Sequence, residues 1–283
     1  MMIAAEQGDV RVLRVLVAAK GDLAYTNGNA ETSLLKAAKN DQTEAVQLLI
    51  AAKAYVDVFE DTEGRTPVAI AAENGYTNTL RALIDAKASV DQRTYGNSSP
   101  VMLAVENNNM AALQLLVTSK ADIVSEFFGD LDLTIPLLAT VDCRTTNAME
   151  ILLKGKADID ATADADMEGT ALCLAARYGK VDFVEMLLDA KADVNKQHPV
   201  RNAVMPRYGY GNPGRDPATV LRLLITAKAD VNKGHSQDGT TPAFVAARRY
   251  ARDRHDRVLV STLVDAKADM NITDCNGQTP AVL

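Results

Sequence analysis

The chain has 283 residues, 47% of them hydrophobic and 24% charged, the balance of an ordinary folded protein and not of a disordered tail. A net charge of −7 sets the summed field against phosphates, which argues against nucleic acid or anionic lipid as a whole-molecule partner. The opening MMIAAEQGDVRV lacks the basic start and apolar run of a secretory signal, and no stretch approaches the roughly 18 apolar residues of a membrane span, so a cytoplasmic setting is expected, with the nucleus second.

Read from the N-terminus, one pattern returns eight times: an apolar pair, a small residue, a lysine and a turn. It is centred on Lys20, Lys53, Lys87, Lys120, Lys156, Lys191, Lys228 and Lys267, at spacings of 33, 34, 33, 36, 35, 37 and 39 residues. A period near 33 predicts a stack of helix pairs. The clearest copy is DTEGRTPVAIAAENGYTNTLRALIDAKASVD, residues 61–91. Asp61 to Gly64 reads as a turn, Thr66 as a helix N-cap and Pro67 as the first helical residue. Val68, Ala71 and Ala72 form an inner face small enough for a neighbouring helix to approach, and Gly75 ends the helix. Leu80, Leu83 and Ile84 then predict a second helix. One such pair cannot bury both of its faces, so stacking must supply the core.

The G-x-T-P signal stands at Gly64 to Pro67, Gly239 to Pro242 and Gly277 to Pro280, with weaker forms at ETSLLKAAKND (31–41), SSPVMLAVENN (98–108), IPLLATVDCR (135–144) and GTALCLAARYG (169–179). With these motifs the chain resembles the ankyrin-repeat family over nearly its whole length. The resemblance implies an all-α solenoid of stacked helix-turn-helix units joined by β-hairpin-like fingers. It implies a single array over residues 1–283 of about seven to eight repeats, partial at 1–26 and 272–283 and irregular at 197–233 and 234–271. The function it implies is a non-enzymatic scaffold that binds another protein through hairpin tips and the concave first-helix surface. The alternative is a targeting or regulatory segment of a larger multidomain enzyme or channel. The residues that match the family's binding positions are Thr62, Glu63, Arg65, Glu73 and Asn74, then Tyr95, Glu106 and Asn107, then Arg177 and Tyr178, then Arg248 and Arg249.

The family usually has glycine where the eight lysines stand. If each lysine is left-handed, the cost is roughly 1 kcal/mol, offset in part by about 0.3 to 1 kcal/mol for a cation at a helix C-terminus. Recurrent capping is the simpler account, and a lysine ladder that binds an acidic surface is the alternative.

The array is irregular in places. At SEFFGDLDL (125–133), adjacent Phe127 and Phe128 cannot both face inward on an extended finger, which makes one of them a candidate anchor, unless a local bend buries both. The lysine falls 20 residues after the proline position in five repeats, but 29 after Pro199 and 25 after Pro242. The surplus lies in MPRYGYGNPGRDP (205–217), a loop ending at Asp216 and Pro217 as N-cap and first helical residue, and in RRYARDRHDR (248–257), a helix extension. Residues 199–257 hold eleven Lys or Arg against five Asp or Glu, a net of +6 in an acidic chain. Because the two insertions belong to adjacent repeats, Arg207, Tyr208, Tyr210, Arg215, Arg248, Arg249 and Tyr250 are expected to form one surface that suits a partner with an acidic segment.

Other chemistry is not signalled. GYGNPG follows no strand and precedes no Gly-Lys-Ser/Thr, and DADMEG (164–169) starts like a calcium loop but has Ala175 where the bidentate glutamate belongs. His198, His235 and His255 lie outside ligand spacing of one another, and Cys143, Cys173 and Cys275 read as reduced, small apolar residues. No catalytic, metal-binding or cofactor residue is therefore expected, and no small-molecule substrate. Met1 and Leu283 both fall inside a repeat, so a segment of a longer array or a truncated gene product is expected.

Overall fold

Thr66 ends an extended segment, and its hydroxyl accepts a hydrogen bond from the Ala69 N–H at 3.2 Å, which starts the helix that Pro67 opens. The same device recurs with Thr32, Ser99, Thr170 and Thr241, each capping the N–H three residues on. In the computed structural model, which describes residues 1–124, 135–162, 169–205, 216–235, 238–252 and 257–282 (Arg252 and Val282 by backbone alone), these caps begin the first helix of successive pairs. The pairs are α1 (Met2–Glu6) with α2 (Val10–Ala18), α3 (Ser33–Lys39) with α4 (Thr43–Ala51), α5 (Pro67–Asn74) with α6 (Thr77–Asp85), and α7 (Pro100–Glu106) with α8 (Met110–Thr118). They continue as α9 (Pro136–Asp142) with α10 (Thr146–Lys154), α11 (Ala171–Tyr178) with α12 (Val181–Asp189), α13 (Pro199–Val204) with α14 (Pro217–Thr226), and α15 (Pro242–Arg252) with α16 (Arg257–Asp265). Among the described residues no β-strand is assigned. The fingers are turns closed by single backbone bonds, such as Glu60 N–H to Arg65 carbonyl at 3.2 Å and Thr94 N–H to Ser98 carbonyl at 3.0 Å.

The chain divides into two compact units, residues 1–125 with 142–157, and residues 126–141 with 158–283. Within the first, α1, α3, α5 and α7 pack in sequence order, and so do α2, α4, α6, α8 and α10. Within the second, α11, α13 and α15 form one row and α12, α14 and α16 another. First helices are buried almost all round, as the run from Pro67 to Ala72 shows, because alanines let helices approach on both sides. Second helices bury one stripe: Leu80 and Leu83 are inside, while Arg81 and Asp85 face water and Ile84 is half-buried. Each fully buried leucine contributes on the order of 2 kcal/mol, which places the stability in the contacts between repeats.

All eight recurrent lysines are left-handed, with φ between 56° and 71°. Each closes a two-bond cap on the second helix. Lys53 N–H donates to the Ile50 carbonyl at 2.9 Å and Ala54 N–H to the Leu49 carbonyl at 3.0 Å, and the same two bonds recur at every lysine down to Lys267 and Ala268. The lysine is thus the residue just past the helix end, where glycine is usual, and the alanine after it tucks beneath the cap. Every one of these lysines is exposed. Lys87→Gly and Lys191→Gly should therefore keep or raise stability, by no more than roughly 1 kcal/mol each. Urea unfolding checks this, and a loss above about 2 kcal/mol would show a role for lysine beyond capping.

A second periodic device joins the repeats. Asp57 Oδ1 accepts the Ser89 N–H at 2.7 Å and Asp91 Oδ1 the Asp122 N–H at 2.7 Å. In the second unit Asp160, Asn195 and Asn232 accept from Asp193, Asp230 and Asp269 at 2.7 to 3.0 Å. The acceptor lies at the end of the A-D-V-N motif and the donor two residues past the next lysine, so these five turns are each tied to the one after. Ala24 and Val124 offer no side-chain acceptor at the same position. Asn109 does similar work at the inner helix, where its Nδ2 donates to the Ala72 and Glu73 carbonyls at 3.1 and 2.6 Å and satisfies the open end of α5.

Asp216 caps α14, accepting the Thr219 N–H at 2.9 Å, with Pro217 as its first residue. Of the helix extension expected over 248–257, residues 248–252 belong to α15 and Arg257 opens α16, while 253–256 lie outside the described residues.

Candidate partner-binding surfaces

At the base of the first unit's fingers lies a chain of charges that the sequence reading did not identify. Glu31 and Glu60, from adjacent repeats, are 4% and 1% exposed, and the Lys39 ammonium bridges them. Arg65 extends the chain, donating from Nε to Glu60 Oε1 at 2.6 Å and from Nη1 to Glu73 Oε2 at 3.0 Å, while Lys36 lies 3.0 Å from Glu31. Burial works against the Glu31 carboxylate, yet hydrogen bonds from Lys39, Asn27 and Lys36 outweigh it and bring its pKa down to about 2. Burial likewise opposes ionised Glu60, and Lys39 and Arg65 together still hold it below the ordinary carboxylate range. Of the expected contact residues, Arg65 and Glu73 are therefore committed to an internal network that braces the finger.

Thr62 and Glu63 stand exposed at the fingertip. Tyr95 stands exposed on the next finger, its N–H donating to the Glu63 carbonyl at 2.8 Å. Asn74 and Asn107 are exposed and turn their amides back onto the Ile70 and Leu103 carbonyls, both at 2.9 Å. Glu106 is exposed, and partial loss of solvent together with the neighbouring Glu73 charge pushes its carboxyl up.

Six of the first helices are long enough to have a seventh residue, α1 and α13 being shorter. In the first unit this position holds Lys39, Glu73, Glu106 and Asp142; in the second it holds Arg177 and Arg248. Arg248 is exposed, and Arg177 and Tyr178 are half-buried. Arg201 sits between them on α13 at a position that is Ala69, Met102, Cys173 or Phe244 in other repeats. Its side chain is 14% exposed, and it donates to Thr240 Oγ1 at 3.3 Å with Asp238 at 3.5 Å. Burial and the Arg177 charge both lower the pKa of Arg201, and the Asp238 carboxylate opposes them. Arg249 donates to the Val204 carbonyl at 3.4 Å, a helix-capping role, and Tyr250 is exposed. Phe127, Phe128, Arg207, Tyr208, Tyr210 and Arg215 lie outside the described residues.

Two further placements were not legible from sequence spacing. The rings of His198 and His235 approach to 5.2 Å between centroids, and His198 Nδ1 is buried without a hydrogen-bond partner. Cys143 and Cys275 are exposed and only Cys173 is buried, all three free, so the small-apolar reading fits Cys173 alone. Among the described residues no group of three or more His, Cys, Asp or Glu is placed to hold a metal ion, and no helix is long and apolar enough to cross a membrane.

Paired helices, left-handed caps and strapped fingers define a helical-repeat protein. The family described as "Ankyrin repeats (3 copies)" matches residues 1–94, 37–127 and 101–198, and the chain belongs to it. The human Neurogenic locus notch homolog protein 2 is 30% identical over 135 residues, covering 48% of this chain and 5% of that protein. The Neurogenic locus Notch protein of Drosophila melanogaster is 33% identical over 131 residues, 44% of this chain and 4% of its own length. The similarity thus takes in a small fraction of those relatives. Among solved structures, the human ASB11 ankyrin repeat domain superposes with a TM-score of 0.60 at 20% identity, covering 80% of this chain and 96% of that one. The ankyrin repeat domain of Bcl-3, a member of the IkappaB protein family, gives 0.64 at 22%, covering 81% and 97%. Both likenesses concern the fold.

Proposed function

We propose that this ankyrin-repeat protein is a non-enzymatic interaction scaffold that takes an acidic segment of a partner protein on the first-helix surface of its second unit. The observation that carries this reading is the change of sign at one repeat position: lysine and carboxylates in the first unit, Arg177 and Arg248 in the second, with Arg201 beneath them. An acidic segment is steered to such a row and repelled by the remainder of an acidic chain. Tyr178 and Tyr250 supply aromatic contact of the kind enriched in binding hot spots.

Arg248→Glu should weaken binding of a labelled glutamate-rich peptide at least tenfold, about 1.4 kcal/mol, with the melting temperature nearly unchanged because Arg248 is exposed, and adding the half-buried Arg177→Glu should weaken it further. Arg249 is left intact, since it holds the end of α13. If the arginine reversals leave affinity intact while Glu106→Lys, a change at an exposed glutamate of the first unit, abolishes it, the surface lies on the acidic first unit and the placement is wrong.

A second reading, a targeting or regulatory ankyrin segment within a larger enzyme or channel, is supported by one observation. The matching Notch proteins carry the aligned region as about one-twentieth of their length. A transcript whose reading frame continues into a catalytic or membrane segment would favour it.

A further inference from the structure

We propose that the fingertips of the first unit form a chemically opposite docking surface, which takes a lysine- or arginine-bearing segment of a partner protein on the Phe59–Tyr95 pair. This inference is independent of the arginine row, because it rests on different residues in a different unit.

Phe59 and Tyr95 are 49% and 63% exposed, unusual for two large rings in contact with each other. Their centroids are 6.4 Å apart at 72°, edge to face. The pair is held rigidly. The Tyr95 backbone is bonded to Glu63, and its ring lies directly on Gly64, where a Cβ would come within 2.5 Å of Tyr95 Cδ1. Gly64 is left-handed, with φ at 67°, so both its conformation and the overlying ring require glycine. Fingers strapped tip to tip also include Asn29, whose carbonyl accepts the Asp61 N–H at 3.2 Å. Anchors fixed in this way lose little freedom on binding.

Charge decides the occupant. The three fingers, residues 21–32, 54–65 and 88–99, carry seven carboxylates and two arginines, and with Lys36 and Lys39, which pair with the buried Glu31 and Glu60, the net is still −3. Of the two arginines, Arg65 is committed to Glu60 and Glu73, with Glu63 at 3.3 Å, and Arg93 donates to the Asn97 carbonyl. Asp61 and Glu63 remain exposed beside the rings. A cation set over an aromatic face is attracted by the ring quadrupole, and here it also meets carboxylates. An acidic segment is repelled, and a neutral apolar one strips water from the carboxylates without returning a counter-charge.

The test uses the full chain and a fluorescent peptide of alternating arginine and glycine, titrated by anisotropy, with a glutamine-glycine peptide of equal length as control. The expected result is saturable binding of the arginine peptide that weakens with salt, by at least about tenfold in Tyr95→Ala and in Phe59→Ala, and is absent for the glutamine peptide. Asp61→Lys, a change at an exposed tip that leaves the rings in place, should weaken it as much, and Arg248→Glu should not. Helical circular dichroism verifies folding of each variant. No binding by the wild-type chain, equal binding of the glutamine peptide, or undiminished binding by the ring variants and Asp61→Lys would each overturn the proposal. Failure of the glutamate-peptide experiment leaves it standing, since that experiment reads the other unit.

Discussion

Glu60→Ala is expected to lower the stability of the first unit by about 2 to 3 kcal/mol, more than a surface ion pair is worth, because the lost carboxylate is buried and serves two cations. Its removal leaves Lys39 and Arg65 partly desolvated. Glu31 and Glu73 still hold one side of each, and both cations keep about a quarter of their side-chain surface in water, which keeps the loss at the lower end for a broken buried pair. Glu60→Gln retains a hydrogen-bond acceptor without the charge and should cost less. Amide exchange read at α3 and α5 resolves the effect locally, as whole-chain unfolding need not be two-state in a repeat protein. A change below about 1 kcal/mol in Glu60→Ala would show that the network contributes no more than an exposed pair.

The same network makes the first unit acid-sensitive. The Glu31 carboxyl titrates at about 2 in the folded chain against an ordinary value of 4.5. Between those values the unfolded chain binds more protons than the folded one, so stability rises with pH there. The contribution is complete above about pH 5 and lost as pH falls toward 2, with about 2 kcal/mol gone by roughly pH 3. Glu60, lowered in the same direction, steepens the slope. Glu31→Gln should be less stable than the wild type at neutral pH and show a flatter profile below about pH 5, measured as amide-exchange protection of α3 against pH. Parallel profiles for the two proteins would place the acid-sensitive group elsewhere.

Much of this chain is periodic, and periodic features are read most securely from sequence. The lysine spacing, the Thr-Pro caps and the alternation of small and large apolar residues determine the helix pairs, because each depends on residues within a few positions of one another. The left-handed lysines belong with them: a cap is closed by carbonyls three and five residues back, so its geometry is a local matter. Asp216 and Pro217 were legible for the same reason.

Contacts about one repeat apart were decided by the tertiary structure. Lys39 meets Glu60, Asp57 meets Ser89 and His198 meets His235 across 21 to 37 positions of chain, and local pattern carries no distance information over that span. Arg65 and Glu73 sat at binding positions by register, yet they pair with each other, and Arg65 pairs as well with Glu60, a carboxylate that register did not mark. Arg201 lies in a basic stretch of sequence, but stacking places it where the neighbouring repeats bury Cys173 and Phe244. The sequence by itself determined the repeat, its caps and its period, since these are short-range hydrogen-bonding and packing choices. Which charges remain open to a partner and which brace the fold was decided only when adjacent repeats stacked, because burial and ion pairing depend on what the next repeat brings to the same place.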